Sequence, residues 1–209
     1  MLNTALLTRQ GYDTSTPVKA IAALMAYVAK RPQGAVLPLA AVLEPYTSAT
    51  QVGDAAPGAL SSARALANFI GQSCYESGYW RYLSEIWGPT DAQKGYENRR
   101  DLGNNEPGDG YKFRGRGLFE TTGRANYSAL AAAIGVPLVT NPELLEQPDA
   151  AVKSAIYFWN THGLGELAKN PDLRDACMQI THRINGGSLG IDDRLALTQR
   201  AFGAMIVAP

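Results

Sequence analysis

Cysteine and histidine are nearly absent from this sequence: Cys74 and Cys177 are its two cysteines, His162 and His182 its two histidines. Two cysteines far apart in the chain do not make the bridge framework of a small secreted domain, so two buried free thiols are expected, with a single Cys74–Cys177 bridge as the alternative. Neither histidine sits in a metal-ligand spacing with the cysteines, so no metal is expected. An excess of charge of one sign is missing too. Lys plus Arg total 19 and Asp plus Glu total 19, so no global field draws in nucleic acid or anionic lipid. Arg99, Arg100, Lys112, Arg114 and Arg116 are therefore read as local charges and not as a nucleic-acid surface. The longest apolar run, Ala20 to Ala29, is about half of the roughly 20 residues a bilayer span needs, so no stable membrane insertion is expected. Met1 to Lys19 shows no basic start followed by an apolar core and a small-residue cleavage site, so no signal peptide is expected.

What is present fits an enzyme-sized globular chain. With 209 residues, 45% hydrophobic and 18% charged, it suffices for one domain, or two lobes sharing one interior. Helical spacing of Ile21, Leu24, Met25 and Val28 predicts a helix over Thr16 to Lys30, capped by Thr16 with Pro17 in its first turn. Gln51 to Leu60 reads as a loop. A second helix runs from Ser61 or Ser62 to Tyr75, with Gly78 just past its end. Trp80 to Trp87 is partly alternating and reads as an extended segment or short strand. Gly95 to Gly117 is a polar, glycine-dense stretch of the length that is functional or mobile. Further helices are expected over Asn126 to Ile134, Pro148 to His162, Asp172 to Ile184 and Asp192 to Met205. Glu143 to Glu146 reads as an ordinary solvated helix start.

The chemistry concentrates in two places. Glu76 closes a largely apolar helix, where the dipole and apolar neighbours disfavour its carboxylate, a setting suited to a general acid. Glu85 follows nine positions later, and two carboxyls across a glycosidic bond serve as proton donor and as base or nucleophile. Tyr79, Trp80, Tyr82 and Trp87 offer faces for sugars or side chains for the core. The segment Gly108 to Tyr127 permits close backbone approach; in it Thr122 can hydrogen-bond a water and Asn126 an acetamido group. The segment lacks the Gly-Lys-Ser/Thr ending of a phosphate loop.

Tyr75-Glu76-Ser77-Gly78, Glu85-Ile86, Gly115-Arg116-Gly117 through Asn126-Tyr127, and Ile184-Asn185-Gly186-Gly187 occur in this order, and together they resemble glycoside hydrolase family 19, which includes chitinases and bacteriophage endolysins. Gly103-Asn104-Asn105 through Gly117 looks more like the endolysin branch. The resemblance spans about Ala65 to Met205; Met1 to Arg64 holds no motif of it. It implies an α+β, predominantly helical, lysozyme-like two-lobed single domain with a central cleft, with residues 1–60 an N-terminal helical segment packed on a catalytic domain over 61–209. It implies an inverting mechanism without cofactor: Glu76 as acid, Glu85 as base and Thr122 holding the attacking water. Asn126 and Asn185 match sugar-contacting asparagines, Arg194 an arginine that supports the carboxylates, and Tyr111 and Glu120 join the substrate-binding candidates. Tyr75 stands where the family usually has histidine, and Glu120 where it usually has glutamine. The expected substrate is the glycan strand of peptidoglycan, with chitin oligomers as the alternative. The expected enzyme is a monomer made in the bacterial cytoplasm, acting on the wall after membrane permeabilisation.

Overall fold

The computed structural model describes residues 2–47 and 59–206. Its helices are α1 (Ala5–Arg9), α2 (Pro17–Ala29), α3 (Leu37–Leu43), α4 (Ala63–Glu76), α5 (Asp91–Lys94), α6 (Asp109–Lys112), α7 (Arg124–Ile134), α8 (Pro148–Thr161), α9 (Leu164–Leu167), α10 (Leu173–Asn185) and α11 (Ile191–Ile206). Among the described residues there is no β-strand, only isolated bridges between Ser84 and Arg116 and between Arg116 and Thr121. The loop expected over 51–60 lies outside the described residues except for Ala59 and Leu60. The chain divides into two compact units, Met1–Tyr75 with Trp159–Pro209, and Glu76–Phe158.

The first unit is built around α2. Thr16, in extended backbone, accepts the Lys19 N–H at 3.2 Å, and Pro17 occupies a first turn where it has no N–H to lose. Ala20 through Ala26 are all buried. A helix apolar on every side sits inside a unit, not on its surface, and α2 packs against both α3 and α11. Gly71 in α4 lets α11 come close: a Cβ there would lie 2.9 Å from the Thr198 nitrogen and 3.0 Å from its Cα. Gln72, one residue on and fully buried, donates to Thr181 Oγ1 of α10 at 2.9 Å and accepts from Arg194 Nη1 of α11 at 2.7 Å. One amide thus ties three helices, and burial makes losing any of its bonds expensive. Cys74 and Cys177 are free and buried, and burial pushes the Cys74 thiol up to about 12.

The second unit has its own core of Phe113, Tyr127, Leu130, Leu138, Leu145 and Ala150. Gly123 starts α7 at φ 95°, with Leu102 so close that a side chain would strike it, and Gly135 ends the helix in left-handed backbone.

Two sequence expectations change here. Trp80 to Trp87 contributes only the single bridge at Ser84. The chain leaves α4 through Gly78, Tyr79 and Trp80 at φ 55°, 64° and 56°, and the Ser77 carbonyl accepts the N–H groups of both Arg81 and Tyr82 at 3.0 Å. That closed turn consumes donors a strand would have used. Two of its residues carry side chains in left-handed backbone, at a cost of about 1–2 kcal/mol each. Glu143 to Glu146 lies in a 3-10 helix, Pro142–Glu146, and Glu146 is not an ordinary solvated acid: its Oε1 accepts the Nε–H of buried Arg116 at 2.7 Å. A buried guanidinium needs a counter-charge, and the partner lies 30 positions away.

Candidate functional site

Glu76 is the last residue of α4, and the left-handed turn of residues 78–80 follows it at once. Glu85 lies beyond that turn with its carboxylate held from both sides. Oε1 accepts from Gln93 Nε2 at 2.9 Å and from the Tyr96 hydroxyl at 3.3 Å, and Oε2 accepts the Gly115 N–H at 3.2 Å. Burial first, then the Glu85 charge, pushes the Tyr96 phenol above its ordinary value, so it stays a donor at neutral pH. Three donors converge on this one carboxylate and fix its direction.

Gln93 works in both directions. Its Oε1 accepts from the Thr90 and Gly88 N–H groups at 2.7 and 3.2 Å, and its Nε2 also donates to the Ile86 carbonyl at 2.8 Å. With the Thr90 hydroxyl accepting the Gln93 N–H, this is a capping box at the start of α5. Gln93→Ala should remove the side-chain half of the capping box and one of Glu85's donors together. The expected result is a stability loss of about 1 kcal/mol and a fall in kcat of about tenfold as the Glu85 carboxylate loses its orientation. An unchanged kcat in steady-state kinetics would show that Glu85 does not depend on Gln93.

Glu120 approaches from the turn between Arg116 and Thr121, whose backbones exchange hydrogen bonds at 2.8 and 3.1 Å. It stands in left-handed backbone at φ 51°, and the Thr122 hydroxyl donates to its carbonyl at 2.8 Å. Gly115 makes the room: a Cβ there would collide with the Glu120 carboxyl. Burial first, then the charges of Glu85 and Glu76, push Glu120 up to about 8, against the opposing pull of Arg116. Glu85 and Glu76 therefore both act on Glu120. A carboxyl with a native value above its ordinary 4.5 stabilises the fold fully below that pH and loses this contribution as pH rises to about 8. The thermal midpoint of Glu120→Gln minus that of the unsubstituted protein should accordingly grow from pH 5 to pH 8. A constant difference would contradict the shift.

Arg116 anchors this layer. It is 3% exposed and donates through Nη1 to the Lys112 carbonyl at 2.8 Å and the Tyr127 hydroxyl at 3.0 Å, besides Glu146. The glycine-dense stretch from Gly95 to Gly117 is pinned in place. Glu97 accepts the N–H groups of Gly108 and Gly110 at 2.7 and 2.9 Å. Buried Asp109 accepts from Arg124 Nε at 2.7 Å, which holds its carboxyl below the usual range. Asn104 bridges the Tyr96 carbonyl and the Arg124 N–H, each at 2.9 Å.

Of the sequence candidates, the second unit gathers Glu76, Glu85, Glu120, Thr122, Asn126 and Tyr111. Asn126 is exposed and donates to the Thr122 carbonyl at 2.8 Å. Tyr111, 54% exposed, meets Trp87 edge-on at 5.2 Å between centroids, and Trp87 in turn lies 6.3 Å from Tyr96. Asn185 and Arg194 belong to the first unit. There the Leu189 carbonyl accepts from both, at 3.3 and 3.0 Å, and the Arg194 guanidinium lies 4.2 Å over the Tyr75 ring. Gly190 leaves the space that Tyr75 fills. Gln93 and Tyr96 were missed in the sequence. The Thr90-Asp91-Ala92-Gln93 capping box was the readable signal for the first; Tyr96 carries none.

Solved structures place the fold. Chitinase C of Streptomyces griseus superposes with a TM-score of 0.60 at 19% identity, covering 88% of this chain and 75% of that one. A bacterial family 19 chitinase superposes at 0.61 with 21% identity, covering 90% and 95%. The fold is therefore the predominantly helical, lysozyme-like one of these chitinases. The family model for glycoside hydrolase family 19, described as chitinase class I, matches residues 39–170, and the chain belongs to that family. A glycosyl hydrolase family 19 domain-containing protein of Haemophilus influenzae is 38% identical over 107 residues, 51% of this chain and 49% of that protein. An endochitinase of Arabidopsis thaliana is 32% identical over 143 residues, 68% and 46%. The chain spans about half the length of these curated relatives.

Proposed function

We propose that this chain is an endolysin-like glycoside hydrolase that cleaves β-1,4 bonds of bacterial peptidoglycan by inversion, with Glu76 as general acid and Glu85 as general base. The observation that carries the reading is a carboxylate oriented by three donors sharing an electrostatic neighbour, Glu120, with the carboxyl that ends α4. Glu76 gives its proton to the glycosidic oxygen as that bond breaks. Glu85 takes a proton from a water, whose oxygen forms the new bond to the anomeric carbon from the opposite face. Thr122 positions that water. Its hydroxyl hydrogen is committed to the Glu120 carbonyl, so its free lone pairs accept the water's other hydrogen. Tyr111 and Trp87 offer ring faces to the sugar, and Asn126 a carbonyl oxygen to an acetamido N–H.

The preference for peptidoglycan rests on the resemblance of Gly103 to Gly117 to the endolysin branch. A chitin substrate is the second reading, favoured by relatives and structural neighbours that are themselves named endochitinase and chitinase. We also propose action on the wall once the inner membrane is permeabilised. Turbidity loss of permeabilised Gram-negative cells, measured beside cleavage of a soluble N-acetylglucosamine oligomer, separates the two readings. Rapid clearing with slow oligomer cleavage is expected. Oligomer cleavage without clearing would assign a chitinase, and neither activity would remove the hydrolase reading.

A further inference from the structure

We propose that Glu120 works as a neutral carboxylic acid whose hydrogen is offered to the bound glycan, so that ionisation of this one side chain weakens substrate binding. The inference rests on the hydrolase reading above and goes beyond it. A neutral carboxylic acid offers a glycan what a side-chain amide offers: one donor and one acceptor on a planar group.

Several features of the site converge on this role. Glu120 is partly buried, and among the described residues no group hydrogen-bonds to its carboxyl, although its backbone carbonyl is held by Thr122. Its left-handed backbone and the missing side chain at Gly115 show that this carboxyl is accommodated at some cost, not left over on a surface. Gly115 also supplies the N–H that holds Glu85, so the two carboxyls converge over one peptide. The charged and titratable groups around Glu120 are Glu85, Glu76, Tyr96, Tyr127 and Arg116. Arg116 is the one cation among them, and its Nε is paired with Glu146 while its Nη1 donates to the Lys112 carbonyl and the Tyr127 hydroxyl. A carboxyl among acids, with no donor of its own and its nearest cation already paired, keeps its proton at neutral pH. With no hydrogen bond to this carboxyl among the described residues, its proton is left for a ligand. Burial and the two neighbouring charges, which push the group up to about 8, agree with the geometry.

The experiment has two arms, both on the full chain. In the first, the protein is labelled with carboxyl-13C glutamate and titrated by NMR with and without Glu120→Gln. One carboxyl should titrate above pH 7 and vanish in the variant; no carboxyl titrating above pH 7 overturns the proposal, whatever the enzyme cuts. In the second, an N-acetylglucosamine hexamer is bound calorimetrically to Glu76→Gln, which turns it over at least about a hundredfold more slowly, and to Glu76→Gln with Glu120→Gln. Affinity of the first should fall about tenfold per pH unit above the Glu120 midpoint, while affinity of the second stays level. The midpoint itself moves lower in this background, since one repelling charge is gone. Equal pH dependence in the two proteins overturns the proposal. A carboxyl that titrates as expected in proteins that bind no hexamer at any pH would instead overturn the amino-sugar reading, and the donor role with it.

Discussion

Glu76→Gln should lower glycan cleavage by about two orders of magnitude or more while the fold persists. Gln keeps the size of the side chain and can still hydrogen-bond, but it has no carboxylic proton to give the glycosidic oxygen, and general acid catalysis contributes about 10²–10⁴-fold. The substitution should be mild in stability. Glu76 ends α4, where the partial negative charge of the helix terminus opposes a carboxylate, so the thermal midpoint should hold or rise slightly. Activity and thermal midpoint measured on one preparation separate the chemical loss from unfolding. More than about a tenth of the original activity would exclude Glu76 as the acid.

Glu85→Gln should be as damaging in rate and should also lower stability. The carboxylate offers acceptors to Gln93 Nε2 and Tyr96 on one oxygen and to the Gly115 N–H on the other. An amide has one oxygen, so in either orientation its NH2 faces a donor. The expected cost is about 1–3 kcal/mol from the mismatched bonds, on top of losing the base that activates water, itself about 10²–10⁴-fold. Glu85→Asp keeps the charge but shortens the reach, so it should retain the stability better than the rate. Equal stability of the Gln variant and the unsubstituted protein in denaturant titration would contradict this account of Glu85.

The sequence singles out Glu76 as a candidate because it ends a periodic apolar stretch, and Thr16-Pro17, Gly135 and Asp172 mark helix ends as local chemistry predicts. Of the supports of Glu85 only Gln93 carried a local signal, the capping box that starts at Thr90. Tyr96 looks like an ordinary polar residue until the chain folds back, and Gly115, 30 positions from Glu85, acts through its backbone alone. The pairing of Arg116 with Glu146 escaped for a similar reason, since long-range ion pairs leave no periodicity. The turn at Tyr79 and Trp80 contradicted its local signal outright: aromatic residues favour extended backbone, yet here they are left-handed. Such departures concentrate at sites where geometry serves chemistry. Glu120 was visible as a departure from the family pattern, but its crowding by Gly115, Glu85 and Glu76 appears only in three dimensions.

The most direct test of the account is the anomeric configuration of the first product. Peptidoglycan glycan strands, or the N-acetylglucosamine hexamer, are cleaved in an NMR tube and the new reducing end is read by 1H NMR before mutarotation. Water activated by Glu85 and attacking opposite the departing oxygen predicts that a β linkage yields the α anomer first. A β anomer appearing first would mean retention through a covalent intermediate, and would contradict the roles assigned to Glu76 and Glu85.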